Sequence, residues 1–148
     1  MVTAYVLHIP VGLGYIHLGD AFLYLAASLL PTPYALLAGA VGAGLADLLT
    51  APEWVIATVI IKAIITLFFT NKKAKIINAH NVIALFISAV ITAGGYYLAE
   101  CIMFGNWVAP VAYIPANLIQ AGGSVVVFLL LGLALDKAGF KQKVLNIE

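Results

Sequence analysis

The sequence predicts an all-α integral membrane protein, a six-transmembrane-helix bundle whose first helix is incomplete. Three observations predict it. Of 148 residues, 64% are hydrophobic and only 9% are charged, and mean hydropathy is +1.11. A soluble domain needs about a quarter charged residues to keep its surface hydrated. The apolar residues gather into runs close to the ~20 that cross a bilayer, and the few charges sort by sign along the chain. The length suits one domain over residues 1–148.

Residues 2–9 read as the last turns of a helix ending at Pro10, with no start and none of the basic residues that open a signal peptide. Residues 18–30 and 34–49 are the second and third spans, separated by Pro31-Thr32-Pro33. Proline cannot continue a helix and pushes its predecessor toward extended geometry, so this segment is a tight reversal. Both runs are short for a span, which tilt or local thinning accommodates. Residues 54–69, carrying Lys62, make the fourth. Residues 82–104, with Glu100 near the end, make the fifth. The sixth is 111–135, interrupted only by Asn117, Gln120 and Ser124.

Lys72, Lys73 and Lys75 follow the fourth span, and Lys137, Lys141 and Lys143 follow the sixth. The positive-inside rule places both segments, and the C-terminus, in the cytoplasm. Asp20, Asp47, Glu53 and Glu100 then collect toward the outer face. Net charge is +1 and arginine is absent, so nothing points to nucleic acid or to bidentate phosphate recognition. Cys101 stands alone, which excludes an internal disulfide and a cysteine-rich metal site. His8, His17 and His80 show no ligand spacing, so no metal and no cofactor is expected.

Polar side chains inside a bilayer are costly and face the bundle interior or a watery cavity. Trp54, Thr58 and Lys62 recur every four residues and share one helix face. Thr92, Tyr96 and Glu100 repeat the pattern, as do Asp20, Tyr24 and Ser28. Asn117, Gln120 and Ser124 follow three-then-four spacing. Four polar stripes concentrated in the outer halves predict a cavity open to the outside. Lys62 has three candidate partners: Asp47, Glu100 or a ligand. Asn117 and Gln120 fit a ligand contact or interhelical hydrogen bonding equally. Tyr96 fits a pocket wall or an interfacial aromatic belt. The glycine-rich stretch 12–20 carries Tyr15 and His17, which can fold over such a pocket as a lid. No Gly-Lys-Ser/Thr follows it, so it is not a phosphate loop. Ala35, Gly39 and Ala43, with Ala26 on the preceding span, form small-residue surfaces that either pack within the bundle or meet another membrane subunit.

The stretch Tyr15-Ile16-His17-Leu18-Gly19-Asp20-Ala21, then Gly39 to Gly44 leading into Leu45-Ala46-Asp47-Leu48-Leu49, then Pro52 with Ile60-Ile61-Lys62-Ala63, and Pro115-Ala116-Asn117-Leu118-Ile119-Gln120-Ala121 downstream, resembles the substrate-binding S components of energy-coupling factor (ECF) vitamin transporters. Within them it looks most like the hydroxymethylpyrimidine/pyridoxine branch. The resemblance covers nearly the whole chain. It implies capture of a small water-soluble vitamin in an outward-facing pocket, in the plasma membrane of a bacterium. It also implies docking onto one transmembrane coupling subunit and two cytoplasmic ATPases, with no catalysis in this chain. Tyr15 and His17 become lid residues, and Trp54, Lys62, Tyr96, Glu100, Asn117 and Gln120 become pocket walls. The alanines four apart by which the family's first helix meets the coupling subunit are not evident here. Ala26, Ala35, Gly39 and Ala43 are the substitute interface. The competing classes are a membrane enzyme, a stand-alone channel, and a structural or assembly subunit. No acid–base or nucleophile set supports the enzyme, and the stripes fade in the inner half, against a channel path.

Overall fold

The computed structural model describes residues 8–11, 14–17 and 19–145. A helical bundle forms most of it: α1 (Gly19–Leu29), α2 (Thr32–Thr50), α3 (Val55–Thr66), α4 (Ala79–Phe104), α5 (Ile114–Lys137) and the short α6 (Phe140–Leu145). Single 3-10 turns, Pro52–Trp54 and Ala109–Tyr113, lead into α3 and α5. Helices α2, α4 and α5 are long and apolar enough to cross a membrane, by length and composition. Their outward surfaces are greasy: Ile56, Phe86, Val90 and Ile102 are each more than 70% exposed. Side chains of that kind on every side of a bundle face lipid, because water would not tolerate them. The protein is an integral, multi-pass membrane bundle.

The turns follow local chemistry. Pro33 sits in the first turn of α2, where its missing N–H costs nothing. Asn78 caps α4, its side chain accepting from the Asn81 backbone N–H at 3.1 Å. The helices pack in chain order, α1 on α2, α2 on α3, α3 on α4 and α4 on α5, and α5 returns to α1 to close the ring. Close approach is possible where side chains vanish. A Cβ on Gly39 would lie 2.8 Å from Leu23 Cδ1 and 3.2 Å from Thr66 Oγ1, so any larger residue there makes those side chains shift for α2 to settle against α1 and α3.

The N-terminal segment departs from the helical expectation. His8–Val11 is a β-strand, paired antiparallel with Gly14–His17, His8 opposite His17 and Val11 opposite Gly14. Short apolar runs do not distinguish helix from strand by periodicity, and Pro10 removes a donor that a helix would use. The β-branched Ile9, Val11 and Ile16 suit a pleated pair. The second strand lies against α5. The rest of the expected first helix, residues 2–7, lies outside the described residues.

The segment between α3 and α4 is tied down by hydrogen bonds from three helices. Asn81 accepts from the Thr70 N–H at 2.9 Å and donates to Ser28 Oγ and to the carbonyls of Thr70 and Ile76. It is fully buried, and these bonds satisfy the whole of its amide. Asp136, at the end of α5, accepts the Ile76 and Ile77 N–H groups at 2.7 and 2.9 Å. Lys141 of α6 donates to the carbonyls of Asn71 and Lys73 at 3.0 and 2.9 Å. Burial pushes the Lys141 ammonium below its ordinary pKa, and the Asp136 charge partly opposes that shift.

Candidate functional site

The first turn of α1 carries Asp20, and α3 presents Lys62 at the same depth of the bundle. Lys62 Nζ lies 2.7 Å from Asp20 Oδ1 and 2.9 Å from Oδ2, and both side chains are almost wholly buried. A charge this far from water is tolerated only when paired and hydrogen-bonded. Lys62 is also 5.5 Å from the centroid of the Tyr96 ring, within range for a cation–π attraction. The Tyr96 hydroxyl is 2.9 Å from Thr58 Oγ1. Trp54 packs edge-on against Tyr96, ring centroids 5.9 Å apart, and against Phe104 at 6.5 Å.

Tyr24, one turn along α1 from Asp20, stacks on Phe69 at 5.1 Å, and both rings meet Phe128 edge-on. Aromatic rings therefore lie on both sides of the ion pair along the bundle. The bonded pair is neutral as a unit and offers a donor and an acceptor side by side. Among the described residues, four buried side-chain oxygens have no hydrogen-bond partner: Tyr24 OH, Thr92 Oγ1, Ser124 Oγ and Glu100 Oε2. Each such group costs about 1–3 kcal/mol, and polar atoms kept at that cost are candidates for contact with a polar guest.

The polar stripes point inward. Asp20, Tyr24, Ser28, Thr58, Lys62, Thr92, Glu100 and Ser124 are buried, and Trp54, Tyr96, Asn117 and Gln120 are half-buried. Trp54, Lys62 and Tyr96 come together in one cluster. Glu100 stands one turn along α4 from Tyr96, and Asn117 and Gln120 occupy the first two turns of α5. Tyr15 and His17 lie in the second strand, and their side chains are outside the described residues. The partner of Lys62 differs from those expected: it is Asp20, not Asp47 or Glu100. Those two acids stand closer to Lys62 in helix order, whereas the actual pair joins residues 42 apart. Asp20 is the site residue the sequence reading passed over, although it heads a stripe already recognised as inward-facing. Of the small residues, Ala35 and Gly39 are buried inside the bundle and Ala26 and Ala43 are half-buried. Ala35 and Gly39 therefore serve packing inside the bundle.

The family profile described as ECF-type riboflavin transporter, S component, matches residues 1–137. It supports the S-component resemblance but not the hydroxymethylpyrimidine/pyridoxine branch. No curated protein and no solved structure matches the chain. Members of such a family are substrate-binding subunits of transporters rather than enzymes, in keeping with a lipid-facing bundle that buries an ion pair among aromatic rings. The chain belongs to the ECF-type riboflavin transporter S component family.

Proposed function

We propose that this chain captures a small water-soluble vitamin with a flat heteroaromatic ring, at the end of the bundle that carries Trp54, for ATP-driven import. The observation that carries the proposal is the buried Asp20–Lys62 pair lying against Tyr96, with Trp54 packed on that ring. A flat ring stacks on exposed aromatic faces, and its carbonyl and ring-nitrogen edge exchanges hydrogen bonds with Lys62, Glu100, Asn117 and Gln120. Tyr15 and His17 close over it. The family description favours riboflavin as the ligand. Hydroxymethylpyrimidine and pyridoxine, smaller rings with the same donor–acceptor edges, are the alternatives the sequence suggests. The lysine-bearing end is cytoplasmic, and there the chain works with a transmembrane coupling subunit and two ATPases.

The test is to purify the protein in detergent, identify any small molecule that accompanies it by mass spectrometry, and titrate riboflavin, hydroxymethylpyrimidine and pyridoxine separately. Submicromolar binding of one of the three is expected, and weak or absent binding of all three defeats the proposal. Trp54→Ala is expected to weaken that binding roughly ten- to hundredfold, since it removes a stacking face and its buried area. Unchanged affinity in this variant, measured by titration calorimetry, places the ligand elsewhere.

A further inference from the structure

The end of the bundle opposite Trp54 is a built basic surface. Lys141 is only 2% exposed, and its ammonium is spent on two carbonyls of the segment between α3 and α4. Asp136 is the only carboxylate among the described residues of that end, and it is spent on two backbone N–H groups. These bonds draw α6 and residues 71–77 into one unit. Gly139, with φ 65°, makes the turn that brings α6 back beneath the bundle. The charges left exposed on this unit are Lys72, Lys73, Lys75, Lys137 and Lys143, five cations with no exposed acid described among them. Beside them, Leu67 is 58% and Phe68 39% exposed. Greasy side chains that project outward directly before a lysine cluster set that cluster at the depth of lipid headgroups.

We propose that this surface binds the headgroups of anionic phospholipids in the leaflet on the lysine side, the folded loop holding its cations in a fixed array. Lysine is suited to the task because its compact charge follows a phosphate without demanding bidentate geometry. The loop's shape does not depend on these five ammonium groups, because its anchors are Asn81, Asp136 and Lys141. The array can therefore be discharged without unfolding the segment that carries it.

The experiment places the full chain in nanodiscs containing equal phosphatidylglycerol and phosphatidylcholine, then counts retained lipids by native mass spectrometry. Phosphatidylglycerol is expected to be retained over phosphatidylcholine by roughly tenfold or more. That preference is expected to collapse in the K72Q/K73Q/K75Q variant and at about 0.5 M salt. Equal retention of the two lipids by the unaltered chain overturns the proposal, as does an undiminished preference in the triple variant. Inorganic phosphate added at constant ionic strength is expected to change nothing, and loss of the lipid preference on its addition assigns the site to a free anion instead. If the triple variant keeps its lipid preference but no longer co-purifies with the coupling subunit, the array serves a protein partner and the lipid assignment fails. Vitamin binding measured in parallel is expected to stay intact, which separates this result from the capture function.

Discussion

Lys62→Met is expected to destabilise the protein by about 3–5 kcal/mol, because it leaves the Asp20 carboxylate buried without its cation. Asp20→Asn is expected to act in the same direction for the complementary reason. The diagnostic variant is the double one, Asp20→Leu with Lys62→Met, which removes both desolvated groups and fills their space with apolar side chains. Replacing a whole buried pair is often neutral or stabilising, so thermal unfolding in detergent should return close to that of the unaltered protein. Vitamin binding should remain lost, since the donor and acceptor facing the aromatic rings have gone. A double variant as unstable as either single one means the pair does more than neutralise itself. A Lys62→Met protein that binds its vitamin normally removes Lys62 from the site.

Asp136→Ala is expected to produce the second large effect, at the other end of the molecule. Its two carboxylate oxygens receive consecutive backbone N–H groups from Ile76 and Ile77. Hydrogen bonds to a charged acceptor contribute about 1.5–3 kcal/mol each. The site is part-buried, and water replaces some of that, so a loss near 3 kcal/mol is expected for the two together. Hydrogen exchange locates it: the Ile76 and Ile77 amides should lose protection, while amides near Lys62 keep theirs. Asp136→Asn, which retains one acceptor oxygen, should fall between. Unaltered exchange at residues 76 and 77 in the alanine variant shows that other contacts hold the segment.

Much of this architecture is visible in the chain before any coordinates. The hydrophobic runs place α1 to α5 within a few residues of their observed limits, because segments that face lipid must be apolar over a length set by the bilayer. The four-residue spacing of Asp20, Tyr24 and Ser28, and of Trp54, Thr58 and Lys62, is an inward face in both cases. What sequence does not reveal is which inward faces meet. The nearness of Asp20 to Lys62 depends on how α1 and α3 settle in the closed ring, and no local pattern encodes a contact 42 residues long. Asp136 escapes notice for a related reason, since its partners are backbone N–H groups about sixty residues away, and Asn81 because its amide joins a nearby turn to Ser28 on another helix. The strand at His8–Val11 was illegible because a short apolar run satisfies either periodicity until its neighbour is known.

The ion pair also bears on the order of events while the protein is being made. Helix α1 has 11 residues and α3 has 12, about 16–18 Å of rise against a hydrocarbon layer of roughly 30 Å. Each carries one full charge, Asp20 in the first turn of α1 and Lys62 past the middle of α3, and a charge within a span adds up to about 2.5–3.5 kcal/mol to the cost of leaving the translocon. Neither segment is a good insertion signal alone. The 19-residue α2 between them is long and apolar enough to cross, so α1 is expected to enter the lipid only when α3 arrives to discharge it. Nascent chains of graded length carrying glycosylation acceptors can time this. Chains stopped before Lys62 should show α1 still outside the bilayer, and stable insertion of α1 from such chains would rule the sequence of events out. On this account the bond between Asp20 and Lys62 is the step that commits the first half of the bundle to the membrane.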